Sequence, residues 1–243
     1  MVTSERCEEH ERLLAQKRRV FGEEHPETLT AMLELADRLW TEGRLIAARK
    51  LEEQVVAGRR QQLGESHFDT LKAIGKLAVT MAAQGELAAA RDLQEQVVEG
   101  MRGLYGETNL ATLRAINNLA GTISAQGDLD AACDLLECVM TSSCHLFGEQ
   151  HPDSLTAMSN LAAILWQRRD REEAYALQQH VVDIKRRVHG DPDQATRAAA
   201  EVLEMMERDR GCSRSRRLHG IGVSREPQPS KTSTWSSRSP ASP

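Results

Sequence analysis

The sequence is poor in aromatic residues, which make up only 3% of its 243 positions. It has little of the Tyr, Phe and Thr that populate β-sheets, whereas Ala, Leu, Glu and Arg, which favour helices, are abundant. It also lacks any apolar run close to the roughly 18 residues that a membrane-spanning helix needs. The composition therefore predicts an all-α protein, and we expect no membrane partner.

Two further absences concern cysteine and the N-terminus. No Cys-x-x-Cys pair is present, and the number of cysteines is odd. The first fourteen residues carry charge where a signal peptide would be apolar. We therefore expect a cytoplasmic protein whose thiols are reduced and serve as small apolar fillers. The cysteines are Cys7, Cys133, Cys138, Cys144 and Cys212.

Charge is distributed unevenly along the chain. The formal net charge is −5, but residues 212–243 hold six Lys or Arg against one acid and carry +5, which leaves −10 on the first 211 residues. An acidic body argues against nucleic acid as a partner. Residues 212–243 are rich in Ser, Pro and Arg, which predicts a disordered basic tail after a folded region over residues 1–211.

A short motif recurs along the folded region. An apolar or aromatic residue followed by Gly appears every 42 residues without insertion or deletion. This spacing predicts four full repeats near 21–62, 63–104, 105–146 and 147–188, with half repeats over 3–20 and 189–210. The motif stands at Phe21-Gly22, Leu63-Gly64, Tyr105-Gly106 and Phe147-Gly148, and His189-Gly190 continues the series.

Each repeat has the sequence pattern of two helices joined by a tight turn. Pro26 and Pro152 are followed by acids, which is typical of a helix start. A Gly in the middle of the repeat suits a turn with positive φ, and Arg169 replaces it in the fourth repeat. We expect that fourth turn to be strained or differently shaped. The turn glycines are Gly43, Gly85 and Gly127.

The length of 42 residues alone also fits HEAT or armadillo repeats. However, the strings Gly-Glu-x-His-Pro-x-Ser/Thr-Leu and Asn117-Asn118-Leu119-Ala120 resemble tetratricopeptide repeats of the kinesin-light-chain class. The resemblance covers roughly residues 7–210. It implies an all-α, right-handed α-α superhelix, a TPR solenoid, whose first helices line a concave groove for peptides. It implies no chemistry.

The groove of such a fold would hold a small basic cluster and several amides. Lys72, Lys76 and Arg114 would bind a carboxylate or an acidic peptide, and the amides would form hydrogen bonds with its backbone. The alternative is a solvated face whose cations are balanced by neighbouring acids. Two tryptophans at equivalent positions would anchor a ligand side chain or pack against an adjoining helix. These amides and tryptophans are Asn117, Asn118, Asn160, Trp40 and Trp166.

The sequence gives no support for an enzyme, a cofactor or a metal site. Its repeat-bound histidines would lie roughly 20 Å apart, too far to share zinc, and we expect them to cap helices or pack in loops. Cys144 and His145 are adjacent on a helix and point to different faces, and Gly100 and Gly103 do not follow a strand. These histidines are His25, His67, His151 and His189.

We therefore predict a non-enzymatic scaffold or adaptor that binds a peptide or partner protein in its groove. The half repeats leave two alternatives open. One is self-association by end-to-end stacking of exposed terminal helices. The other is a regulatory subunit or a fragment of a larger TPR-containing signalling protein.

Overall fold

The computed structural model describes the backbone of residues 2–219 and the side chains of residues 7–210. Over this range the chain forms ten α-helices and no strand, so the predicted all-α fold is confirmed. The helices are α1 (Val2–Phe21), α2 (Pro26–Thr41), α3 (Leu45–Leu63), α4 (Phe68–Ala83), α5 (Leu87–Tyr105), α6 (Leu110–Ala125), α7 (Leu129–Phe147), α8 (Pro152–Arg168), α9 (Arg171–His189) and α10 (Gln194–His219).

The helices stack in chain order, each packing against the one before and the one after it. Four helix pairs, α2–α3, α4–α5, α6–α7 and α8–α9, form the first to fourth units of a solenoid. The first helices of neighbouring units also contact one another, α4 with α6 and α6 with α8. The first helices therefore line one continuous face of the array.

Each first helix begins at a side chain that accepts a hydrogen bond from the backbone. The Nδ1 atoms of His25, His67 and His151 accept from amides two residues on, at 3.3, 3.1 and 3.2 Å. Asn109 does the same for α6 at 2.9 Å, and Asp193 accepts from the third amide of α10 at 2.9 Å. These bonds satisfy donors that a helix leaves unpaired at its N-terminus. The predicted capping role is confirmed for these three histidines.

Small side chains allow the two helices of a unit to approach closely. Two alanines in each unit are completely buried, one on each helix, and a longer side chain there would overpack the contact. These alanines thus lie in the core between the two helices of each unit. The buried alanines are Ala36, Ala48, Ala78, Ala90, Ala120, Ala132, Ala162 and Ala174.

The turn between the paired helices has the same conformation in every unit. Gly43, Gly85 and Gly127 have φ values of 75°, 87° and 95°. Arg169 takes this place in the fourth unit with φ 82°, the only positive φ of a non-glycine residue in the part of the chain that the structure describes. The turn keeps its shape, and Arg169 carries the strain.

The last helix extends past the predicted end of the array. It continues from Gly211 to His219, and the remainder of the predicted tail, residues 220–243, lies outside the described residues. Cys7 and Cys133 are buried, as expected of fillers, but Cys138 is exposed, so that expectation is wrong for it. No helix in residues 2–219 is long and apolar enough to cross a membrane.

Candidate functional site

A cavity of about 440 Å³ opens between the first helices of the first three units. Five of the eight predicted site residues line it, so the helical stacking brings together side chains from α2, α4 and α6 that are far apart in sequence. The predicted basic cluster is complete here, and an aromatic ring joins it. These five residues are Trp40, Lys72, Lys76, Arg114 and Asn118.

Two of the three cations at this cavity are already paired with acids. Lys76 forms an ion pair with Asp37 of the preceding unit. Arg114 donates two hydrogen bonds to Asp153 of the following unit, at 2.6 and 2.8 Å. These bonds hold the pKa of Asp153 below its ordinary value and raise the pKa of Arg114. In the free protein, Lys76 and Arg114 are therefore cations balanced by neighbouring acids. This is the alternative that the sequence left open.

Lys72 differs from its neighbours. It is exposed on α4, one turn before Lys76, and forms no ion pair or hydrogen bond with any of the described residues. When a cation without an internal partner binds a ligand carboxylate, it loses only part of its hydration and rotamer freedom. No existing ion pair has to be broken first. Lys72 is thus the cation at this cavity that is available to an incoming anion.

The cavity combines apolar walls with a buried polar floor. Phe68, Val97 and Met101 contribute apolar surface, and the Phe68 ring meets that of Tyr105 edge-on at 5.8 Å. At the floor, the hydroxyl of Thr80 donates a hydrogen bond of 3.0 Å to the buried carboxylate of Glu52. An apolar pocket with a few fixed polar groups is the usual form of a small binding site.

A second cavity, of about 380 Å³, continues along the same face into the fourth unit. Among the residues with described side chains, no charged one lines it, and Asn118 borders both cavities. The amide of Asn160 donates to the carbonyl of Asn117 at 3.0 Å, which leaves part of each group's hydrogen-bonding capacity unused. The three predicted asparagines therefore lie together, next to a neutral stretch of the groove.

The two predicted tryptophans have different surroundings. Trp40 lines the first cavity with 42% of its surface exposed. Trp166 is partly buried against the core, and the guanidinium of Arg171 lies 5.0 Å from its ring centroid. Trp166 lines neither cavity. Trp40 therefore has the geometry of a ligand contact, and Trp166 that of a packed residue.

Sequence reasoning missed the residues at the floor of the first cavity. Glu52 lies on a second helix, whereas the sequence resemblance points to first helices as the groove walls. A signal was available, because Glu52 is the acid in a register that otherwise holds Gln94, Leu136 and Gln178. An ionisable residue where the other repeats have neutral side chains indicates a local departure from the repeat's packing.

Two structural features of the described residues concern metal binding and thiol reactivity. Over the part of the chain with described side chains, no three His, Cys, Asp or Glu are grouped to hold a metal ion. Burial raises the pKa of the Cys144 thiol, which makes it a weaker nucleophile at neutral pH.

Models of the tetratricopeptide repeat match most of the solenoid. One matches residues 69–142 and 112–187, and a second matches residues 28–69. The chain belongs to the tetratricopeptide repeat family. This assignment confirms the resemblance on which the groove was predicted, and TPR folds serve in general as scaffolds for protein–protein interaction.

Solved structures add the kinesin-light-chain relationship. Two crystal structures of nearly identical TPR-like repeats, named for a kinesin light chain of Podosopora anserina, are 28% identical to this TPR chain. They cover 78% of it and 89% and 90% of their own chains, with TM-scores of 0.64 and 0.61. BtubC (BKLC) from P. vanneervenii covers 97% of this chain and 100% of its own, with 17% identity and a TM-score of 0.65, and shows the same fold.

Curated protein sequences contain no match to this TPR chain. The solved structures therefore give its repeat class and fold.

Proposed function

We propose that this TPR protein is a non-enzymatic scaffold that binds an acidic peptide segment of a partner protein in the groove formed by its first helices. The segment would place a carboxylate on Lys72 and an apolar side chain in the first cavity, beside Trp40. Its backbone would continue over the neutral, asparagine-lined cavity. The proposal names a class of ligand and leaves the partner's identity open.

The observation that carries this proposal is the position of Lys72. It is exposed at the rim of an open cavity, has no partner among the described residues, and lies beside two cations that are already neutralised. An acidic group of the ligand would find an available positive charge there, because no carboxylate of the described residues is paired with Lys72. Trp40 and Phe68 supply apolar surface within the same cavity.

The expected binding is modest and depends on salt. An exposed ion pair contributes only about 0.2–1 kcal/mol, so the apolar cavity has to supply much of the affinity. Screening acts over about 8 Å at physiological ionic strength. Added salt should therefore weaken binding without abolishing it.

The test is charge reversal at Lys72 against an acidic peptide library, with binding followed by fluorescence anisotropy. Lys72→Glu should weaken binding by roughly tenfold, since it replaces an attraction with a repulsion. Lys50→Glu is the matched control, because Lys50 is exposed on α3 beside a different depression and changes the net charge equally. Equal affinities for the two variants would overturn the proposal.

Self-association is a second candidate function, favoured by apolar side chains on the outermost described helices. Leu13 and Val20 on α1 are 37% and 62% exposed, and Val202 and Met205 on α10 are 38% and 55% exposed. Contact between such helices in two copies would bury both sets. Light scattering over a range of concentrations distinguishes the candidates, because stacking raises the average mass as concentration increases. The double variant Val202→Glu, Met205→Glu should abolish this increase in mass.

A further inference from the structure

Glu52 is an unusual residue in this solenoid. It is 2% exposed and is the only Asp, Glu, His, Lys or Arg among the buried residues of the described part. One carboxylate oxygen accepts the hydrogen bond from Thr80, and the other, Oε2, has no hydrogen-bond partner in the described part of the protein. A buried carboxylate with a free oxygen is costly to keep ionised, and protonation removes most of that cost.

The repeat itself shows that the fold does not need a carboxyl group here. The equivalent positions hold Gln94, Leu136 and Gln178, all buried and all neutral. The ionisable version occurs only in the first unit, and there Glu52 lines the first cavity. The position of Glu52 thus coincides with the proposed site.

Three charged groups act on Glu52 from the helices around it. Lys76 of α4 favours the ionised carboxylate, whereas Asp37 of α2 and Glu53 of α3 oppose it. Burial has the largest effect and raises the pKa of Glu52 above its ordinary value. The Lys76 ammonium is therefore the main charge that stabilises the ionised form of Glu52, although it also forms an ion pair with Asp37.

We propose that Glu52 takes up a proton when an anionic ligand binds in the first cavity, so that acidity tightens binding. This inference rests on the proposed function, since it describes the regulation of the same site. The carboxylate accepts one proton from solvent and becomes a neutral carboxylic acid, and no other bond changes.

Two effects of the ligand act in the same direction. Its negative charge, held at Lys72, adds to that of Asp37, and its apolar part excludes water from the cavity. Each effect disfavours the ionised carboxylate. An ionised Glu52 consequently repels an anionic ligand, whereas the protonated form does not.

The sign of the pH dependence follows from linkage. Because the bound state holds the proton more tightly than the free state, affinity falls as pH rises from the pKa of Glu52 in the free protein to its pKa in the complex. Below both values Glu52 is protonated in each state, and above both it is ionised in each state, so the dependence vanishes there. For a single proton the change reaches at most about tenfold per pH unit.

The experiment uses the full chain and a probe whose charge is constant. A tetramethylrhodamine-labelled peptide in which cysteic acid supplies the acidic groups keeps its sulfonates ionised between about pH 5 and about pH 8. Its affinity for the wild-type protein should fall across part of this range. Glu52→Gln introduces the residue of the second and fourth units, so the fold is preserved. This variant should bind with a flatter pH profile, and more tightly than wild type at the alkaline end.

Glu53→Gln serves as the control, because Glu53 neighbours Glu52 but is exposed and paired with Arg49. It should retain the wild-type pH profile. Equal slopes for wild type and Glu52→Gln, with binding intact, would overturn this inference and leave the proposed function standing. No binding of the probe at any pH would overturn both. Calorimetry in two buffers of different ionisation enthalpy should also report proton uptake for wild type and none for Glu52→Gln.

Discussion

Arg169 adopts a φ of 82° at the turn position where Gly43, three units earlier, has a φ of 75°. Glycine enters this left-handed region at little cost, whereas a side chain bearing a Cβ is penalised by about 1–2 kcal/mol. The fourth turn therefore has the same geometry as the others, but it lacks the glycine that adopts a positive φ at little free-energy cost. The contacts of α8 and α9 hold the turn in this conformation.

Arg169→Gly should stabilise the protein by about 0.5–1 kcal/mol, because relief of the strained φ outweighs the greater freedom of glycine in the unfolded chain. Urea denaturation followed by circular dichroism measures the change. Gly127→Arg is the reverse experiment. No neighbouring atom lies within 4 Å of the place that a Cβ at Gly127 would occupy, so only the backbone is affected. We expect it to lose about 1–2 kcal/mol, and a destabilised Arg169→Gly would contradict this interpretation of the turn.

A second prediction concerns Gly100 on α5. A Cβ at Gly100 would lie 2.6 Å from the Cδ1 atom of Leu71, a side chain that is 1% exposed and would have to shift within the core. Gly100→Ala should therefore destabilise the protein by about 1–3 kcal/mol, despite the better helix propensity of alanine. Gly103 lies on the same helix in open space, and Gly103→Ala should stabilise by about 0.5–1 kcal/mol. Denaturant midpoints that shift in the same direction for both would refute the steric argument.

The regular part of the fold could be predicted because each repeat carries its own local signals. Pro26 marks a helix start and Gly43 a turn, and both depend on backbone conformation within a few residues. The helix caps at Asn109 and Asp193 follow the same logic, although they replace histidine. The succession of helix pairs therefore followed from spacing and local chemistry, and the superhelix followed from the family resemblance.

The electrostatics of the groove could not be predicted in the same way. Lys76 meets Asp37 and Arg114 meets Asp153 across 39 residues, in contacts between neighbouring units. Such contacts depend on how far one unit rotates relative to the next, which no local signal encodes. Because Lys76 and Arg114 are paired with acids of neighbouring units, the predicted basic cluster has one available cation, Lys72.

A third prediction concerns the stability of the free protein. Burial raises the pKa of Glu52, so its protonated form is favoured in the folded state. The stability that this protonation contributes is fully present below the unfolded pKa and is lost as pH rises through the folded pKa. Glu52→Gln should therefore be more stable than wild type by about 1–2 kcal/mol at about pH 8. The difference should shrink as pH falls.

Urea denaturation of both proteins across the pH range tests this directly. Glu53→Gln provides the comparison, since its carboxylate is exposed and its loss should change stability by less than about 0.5 kcal/mol at any pH. A stability difference between wild type and Glu52→Gln that did not vary with pH would show that the carboxyl has the same pKa in the folded and unfolded states, which would contradict this prediction.

The last prediction follows from the two hydrogen bonds between Arg114 and Asp153. Because this carboxylate neutralises the guanidinium in the free protein, a ligand acid has to compete with it. Asp153→Asn removes the competing charge and should tighten the binding of an acidic peptide by roughly threefold to tenfold. The gain should diminish at high salt. Asp130→Asn is the matched control, because it removes an acid paired with Arg168, which lines neither cavity, and changes the net charge equally. If both variants tightened binding alike, the effect would come from net charge, and Arg114 would have no specific part in holding the ligand.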